Sequence, residues 1–402
     1  MRPMPSPLAA PLALPCGAAL PNRLAKSAMS ENLADADHAP DGRLERLYTR
    51  WGGSGAGLLV TGNVMIDRGA LGEPHNVVME DDRALDALRR WATAAQSGGS
   101  PTWVQLNHPG RQSPATLSKA PVGPSAVPLR LPGAAFRPPR ALTEAEIEGL
   151  VARFARAAGV CQRAGFAGVQ VHGAHGYLVS QFLSPLSNVR TDGWGGDPAR
   201  RRRFLVEVVR AIRAEVGPSY PISVKLNSAD FQRGGFSEAE SMEVVEVLEA
   251  EAVDLLEISG GTYEKPQMTG VPQRASTASR EAYFLDYAAK VRGRTRVPLW
   301  LTGGFRTRVG MEAALTSGAV DVIGLARPMA LEPELPRGLL DGRVAESQVA
   351  PRRTGLRQLD GLLEVSWYTW QLHRLAAGRE PDPGVWPWTV LAGMAWDTLT
   401  GR

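Results

Sequence analysis

Two periods of apolar residues alternate along the chain. Short apolar runs of strand length are each followed by a stretch in which apolar residues recur every three or four positions, as on one face of a helix. The short runs fall at residues 22–29, 57–62, 102–106, 169–172, 221–226, 253–258, 297–301 and 320–325. Between them, residues 41–51 place Leu44, Leu47, Tyr48 and Trp51 on one face, and 82–96 do the same with Leu85, Leu88 and Trp91. Thr143 with Glu146 three positions on forms a capping box. It opens a helix carrying Ile147, Val151, Phe154, Ala158 and Cys161. Asp197-Pro198 supplies a cap and a first-turn proline before Phe204, Leu205, Val208, Val209, Ile212 and Val216. Ser237 and Glu240 repeat the capping box for a helix running to Glu251. Two more helical stretches follow, one with Phe284, Tyr287 and Val291, the other over 307–317.

Eight such units in series predict a (β/α)8 TIM barrel, with every strand buried and the strands parallel. The barrel is expected over residues 12–335. Residues 336–402 form an extension holding Trp367, Trp370, Trp386, Trp388 and Trp396, half of the chain's ten tryptophans. So much aromatic surface must be covered, by the chain's own barrel or by a partner subunit, and a homo-oligomer is expected. The stretch 113–140 is rich in proline and lacks either period, as a rim or lid loop would.

Composition narrows the function classes. With 44% hydrophobic residues over 402 positions, the chain can build a large core. A net charge of +4 from 45 basic and 41 acidic residues gives no reason to expect nucleic acid. Arg200, Arg201, Arg202 and Arg203 make the one dense basic run and are expected to form a solvated helix face. Two cysteines, Cys16 and Cys161, are too few for an iron–sulfur cluster or a disulfide framework. Apolar runs stop short of a membrane span, and prolines break the N-terminal stretch where a signal peptide would lie. A cytoplasmic protein is expected, away from membranes.

In parallel α/β folds, chemistry gathers at the carboxyl ends of the strands. The fourth run ends in His172-Gly173-Ala174-His175-Gly176-Tyr177. The first ends in Ser27-Ala28-Met29-Ser30, the second in Thr61-Gly62-Asn63, and the third carries Gln105 and continues to His108 and Arg111. Lys225 and Asn227 end the fifth; Gly303-Gly304 and Ala326-Arg327 end the last two. Barrels commonly bind phosphate at that last pair of loops, and Arg327 adds a bidentate cation. With a carboxamide at Gln105, a cation at Lys225 and no side chain at Gly62, the set describes a pocket for a flat phosphorylated ring, as in flavin mononucleotide (FMN). Two other readings compete. His172 and His175 could be core histidines with ordinary hydrogen bonds. They could also be metal ligands of a barrel hydrolase, but such a site needs three or four ligands, no His-x-His ends the first run, and the nearest other histidine, His108, lies on the third.

The segments 22–29, 105–112, 165–196 and 301–329 resemble the old yellow enzyme family of FMN-dependent ene reductases and related bacterial NADH:flavin oxidoreductases. The resemblance covers about residues 12–335. It implies that Ala28, Met29, Ser30, Gly62 and Gln105 line the isoalloxazine and that Lys225 stands near its N1 and O2. It implies that Gly303, Gly304, Ala326 and Arg327 hold the phosphate. His172 and His175 would bind a substrate carbonyl oxygen and Tyr177 would donate the proton. NADH or NADPH would be the reductant and an electron-poor alkene the substrate. A flavin enzyme of the same fold acting in oxidative demethylation or nitro reduction would share all these residues. Three positions depart from the family pattern: Ala28 where proline is frequent, Ser30 where members carry threonine or cysteine, and Ala326 where glycine is common. With two cysteines and this length, neither the cysteine-rich cluster motif nor the nucleotide-binding domain of the larger members is expected. The loops 113–140 and 263–277 are expected to set substrate specificity.

Overall fold

The computed structural model describes residues 6–131, 134–264, 284–350 and 357–400, without the side chains of 357–362 and 394–400. Residues 265–277 of the second rim loop and the Trp396 side chain therefore lie outside the described residues.

Eight parallel strands close into a barrel. They are β1 (Leu24–Lys26), β2 (Leu58–Met65), β3 (Thr102–Asn107), β4 (Gly168–Gly173), β5 (Ile222–Asn227), β6 (Leu255–Ser259), β7 (Leu299–Thr302) and β8 (Val322–Leu325). Each pairs with the next, and β8 returns to β1, so no edge is left open. Around it run α1 (Gly42–Gly52), α2 (Leu85–Gln96), α3 (Glu144–Ala164), α4 (Leu178–Leu183), α5 (Pro198–Val216), α6 (Glu238–Ala250), α7 (Leu285–Arg292) and α8 (Arg308–Thr316). Two short helices follow β8: α9 (Arg327–Leu331) and α10 (Leu335–Leu340). Both expected capping boxes are present, at Thr143/Glu146 and Ser237/Glu240, and Asp197 caps α5 ahead of Pro198.

The strands are buried on both faces, and their period of two sorts the side chains into two cores. Outward residues such as Val169, Val171, Ile222 and Val224 pack under the helices. Inward residues Ala25, Leu58, Val60, Trp103, Leu255, Trp300 and Val322 fill the amino-terminal half of the barrel. A hairpin of Leu12–Ala13 and Ala19–Leu20 covers that end. Gly168 belongs to this packing: a Cβ there would lie 2.6 Å from the Trp103 indole nitrogen. The apolar floor pushes polar inward positions toward the carboxyl end, where β4 reads Gln170 and then His172.

The extension is helical. α11 (Arg357–Ala376) lies against α1 and α9, and α12 (Pro387–Thr400) packs on α11. Arg46 Nη1 donates to the Ala376 carbonyl at 2.5 Å, and His373 Nε2 lies 2.9 Å from the Glu31 carbonyl. Trp367 is buried here and Trp370 half-buried, whereas Trp386 and Trp388 are exposed. The loop 113–140 carries one short pairing, Val122–Gly123 with Arg140–Ala141.

One sequence expectation fails locally. Arg200 and Arg203 are exposed, but Arg201 is buried. It donates to Leu183 O at 3.1 Å and Gly196 O at 2.5 Å, and pairs with Glu240. A guanidinium has five donors, so it can tie the end of α4, the loop before α5 and the first turn of α6 together. Among the described residues, no helix is long and apolar enough to cross a membrane.

Candidate active site

The site forms where β4 ends. After Gly173 the chain turns through two left-handed residues, His175 at φ 60° and Gly176 at φ 76°. A histidine rarely takes that conformation, so neighbours must hold it. Asn227 Oδ1 accepts from His175 N at 3.2 Å, and Gln112 Nε2 donates to His175 O at 3.2 Å. The turn brings Tyr177, the cap of α4, back over the strand end. The rings of His172 and His175 then meet edge-to-face at 5.1 Å, and those of His172 and Tyr177 at 4.8 Å. All three proposed catalytic side chains therefore converge.

Burial decides their protonation. Desolvation holds both imidazoles well below the ordinary histidine range; His172 is lowered further by His175 and Lys225, and His175 by Lys225. Both are neutral at pH 7. His172 Nδ1 accepts from Ala174 N at 3.3 Å, which leaves the proton on Nε2. His175 Nε2 shares a 2.7 Å hydrogen bond with Ser259 Oγ. With Ser259 donating, the imidazole proton sits on Nδ1. Each ring then keeps one N–H for a ligand oxygen. Burial raises the Tyr177 phenol well above its ordinary value, and the neighbouring Tyr263 and Glu73 raise it further, so it stays protonated.

Beneath these groups a polar chain crosses the barrel. Gln105 Nε2 donates to Gln170 Oε1 at 2.7 Å, and Gln170 Nε2 to Glu257 Oε2 at 2.9 Å. Glu257 is fully buried and pairs with Lys225 Nζ at 3.1 Å. Thr302 Oγ1 donates to the same carboxylate at 2.6 Å and lies 2.7 Å from Ser27 Oγ. Lys225 is the register partner of His172, so its cation sits beside the histidine pair. This is a site for one buried charge pair, hydrogen-bonded on all sides, and not a lone lysine.

The remaining expected residues ring the same mouth. Gly62 lies where the β2–β3 register shifts. A Cβ there would collide with Glu31 Oε2 and Met29 O, so the loop after β1 presses directly on it. Ala28, Met29 and Ser30 are half-buried in that loop, and Ser30 Oγ donates to Glu73. Burial raises the Glu73 carboxyl above its ordinary value. Gly303 and Gly304, at φ 127° and 89°, follow β7, and Ala326 and Arg327 follow its neighbour β8. Arg327 Nη1 donates to the buried Glu364 at 3.2 Å, and its guanidinium lies 5.9 Å from the Tyr368 ring. Both partners belong to α11, so the extension reaches the proposed phosphate loops. This donor set fits FMN: Gln105 and Lys225 for the polar ring edge, and Gly303, Gly304 and Arg327 for phosphate, while the missing side chain at Gly62 makes room for Glu31 and Met29 of the loop after β1.

The sequence reading gave no site role to Glu257, Gln170, Thr302, Ser259, Glu73 and Tyr263. A weak signal existed for the first two, a polar residue alone in an apolar strand at an inward position. Tyr263 and Glu73 lie in loops, where no period applies.

Known proteins match this chain over most of its length. A family model described as the NADH:flavin oxidoreductase / NADH oxidase family covers residues 7–346. The NADH-dependent flavin oxidoreductase iliE of Hypocrea jecorina is 41% identical over 355 residues, 82% of this chain and 88% of that protein. The NADH-dependent flavin oxidoreductase iccE of Talaromyces variabilis is 36% identical, over 92% of this chain and 98% of that one. Among solved structures, the old yellow enzyme homologue from Zymomonas mobilis is 26% identical and superposes with a TM-score of 0.71, covering 86% of this chain and 95% of its own.

Proposed function

This chain belongs to the NADH:flavin oxidoreductase / NADH oxidase family, and from that premise we propose that it reduces the C=C bond of electron-poor alkenes such as enones. It is an NAD(P)H:flavin oxidoreductase, and its cofactor is FMN. When bound, FMN supplies the hydride chemistry, accepting hydride from NAD(P)H and passing it to an electron-poor carbon. The protein binds, polarises and protonates. Gln105, Lys225, Gly62 and the loop Ala28-Met29-Ser30 would hold the ring, with Gly303, Gly304, Ala326 and Arg327 at the phosphate.

The observation that carries the reading is the His172–His175–Tyr177 cluster. Two neutral imidazoles, each with one N–H to spare, can share one carbonyl oxygen. Their hydrogen bonds strengthen as that oxygen gains enolate charge, which is the form of stabilisation that raises rate. Tyr177 keeps its proton at neutral pH and stands beside His172, so it can protonate the α-carbon of an alkene whose oxygen the histidines hold.

Tyr177→Phe tests the assignment. Enone reduction should slow by roughly 10²–10⁴-fold, the usual worth of a positioned general acid. Consumption of NAD(P)H with an acceptor that needs no carbon protonation, such as dioxygen, should be nearly unchanged. Nitroalkenes should suffer less than enones, because a nitronate can leave unprotonated. A wild-type enzyme that fails to reduce any enone, while demethylating amines or reducing nitro groups, would overturn the proposal. So would a Tyr177→Phe variant that loses both half-reactions equally.

A further inference from the structure

A buried acid that works repeatedly needs a way to regain its proton. Tyr177 is 7% exposed, and its hydroxyl lies 2.7 Å from the hydroxyl of Tyr263. Tyr263, in the loop after β6, is 39% exposed. The two rings meet edge-to-face at 5.7 Å. Phe136 of the loop 113–140 packs on the Tyr263 ring at 6.4 Å.

The position of Tyr263 is built, not incidental. Its neighbour Glu264 accepts from Arg111 Nη2 at 3.0 Å and from Arg130 N at 2.7 Å. Arg111 also donates to Val127 O at 3.2 Å and Pro128 O at 3.1 Å. The Arg111–Glu264 pair is nearly buried, with side chains 8% and 10% exposed. One ion pair thus ties the two rim loops together immediately beside Tyr263.

We infer that Tyr263 is a positioning residue that relays a solvent proton to Tyr177 after each reduction, an inference resting on Tyr177 being the acid. The steps balance. The Tyr177 O–H bond breaks and a C–H bond forms at the α-carbon, with the enolate's electron pair. The Tyr263 O–H bond then breaks and its proton closes the Tyr177 O–H bond again. A solvent proton restores Tyr263. One proton is drawn from water per alkene, and NAD(P)H supplies the hydride.

Both phenols stay protonated at rest. Although Tyr263 as a whole is 39% exposed, its phenol is packed on Tyr177, and that desolvation pushes it up to about 12, moderated by the hydrogen bond between them. For Tyr177 the same hydrogen bond adds to the effect of burial. Glu73 faces both phenols and raises each, while the Asn63 side chain opposes the rise at Tyr177.

The test uses the FMN-loaded enzyme, reduced and then mixed with an enone in weak buffer containing a pH indicator. In wild type, proton uptake from bulk should keep pace with product formation. In Tyr263→Phe, bulk proton uptake should lag behind product formation by about tenfold or more. Uptake that stays synchronous overturns the relay. Product formation and uptake slowed together also overturn it, since Tyr263 would then only shape the pocket. Failure of the acid assignment shows elsewhere, as unslowed product formation in Tyr177→Phe, and removes the relay with it. A second readout needs no turnover: in the substrate-free protein, Tyr263→Phe must shift the Tyr177 13Cζ resonance, identified by its loss in Tyr177→Phe. An unmoved resonance means that the two hydroxyls are not in contact.

Discussion

Acid should loosen this protein through a histidine next to the site. His108 follows β3 and is buried; its Nδ1 accepts from Gly110 N at 3.0 Å. Its carbonyl accepts from Leu178 N at 3.0 Å, the residue after Tyr177. Burial pushes the imidazole down to about 4 from its ordinary 6.5, with Arg153 also lowering and Asp67 opposing. The unfolded chain, with its higher pKa, binds the proton first. Stability is therefore complete above the unfolded value and falls as pH drops through it toward the folded one. Integrating between about pH 7 and about pH 5 gives a loss of about 2 kcal/mol from this one group. His172 and His175, also depressed by burial, add to it. Glu73 and Asp230, whose carboxyls are raised by burial, act with the opposite sign. His108→Asn separates these. Its side-chain oxygen can keep the Gly110 hydrogen bond, and it does not titrate. Urea unfolding of variant and wild type at about pH 5, 6 and 7 gives the difference in slope, in which every other group cancels. The variant should lose about 2 kcal/mol less than wild type over that interval. Parallel curves, within about 0.5 kcal/mol, would show that His108 is not held neutral by burial and would refute the argument.

Lys225→Met should do two things. It leaves Glu257 buried with only neutral donors, Gln170 and Thr302, at a cost of roughly 3–5 kcal/mol measured by denaturation. It should also lower the flavin potential, and a redox titration showing no change would mean that Lys225 does not reach the ring. Adding Glu257→Gln should recover part of the stability and, because it removes the uncompensated carboxylate, part of the potential as well. Arg327→Ala should weaken FMN retention by roughly 10–100-fold, the worth of a charge-assisted phosphate contact, measured by titrating apoprotein with FMN. Unchanged retention would leave Arg327 as a strut for α11 through Glu364 alone.

Local pattern was enough to read the barrel and the order of its site residues from the sequence. Strands buried on both faces, helices with one apolar stripe, and the caps at Thr143, Asp197 and Ser237 each depend on neighbours within a few positions. In a parallel barrel, that local reading also says which residues stand at strand ends, so His172, His175, Lys225 and Arg327 could be named. What tertiary structure alone decided is which distant groups meet. Lys225 became half of a buried pair because Glu257 sits one strand away at the same height. Arg201 left the solvated face because Glu240 and two carbonyls converge on it. Arg327 acquired Glu364 from an extension whose path no period reveals. Tyr263 met Tyr177 across 86 positions, through a loop clamped by Arg111. Periodicity reports which face of an element is buried. A charge or hydroxyl in a loop has no period, and its partner is set by where closure of the barrel brings the strand ends together.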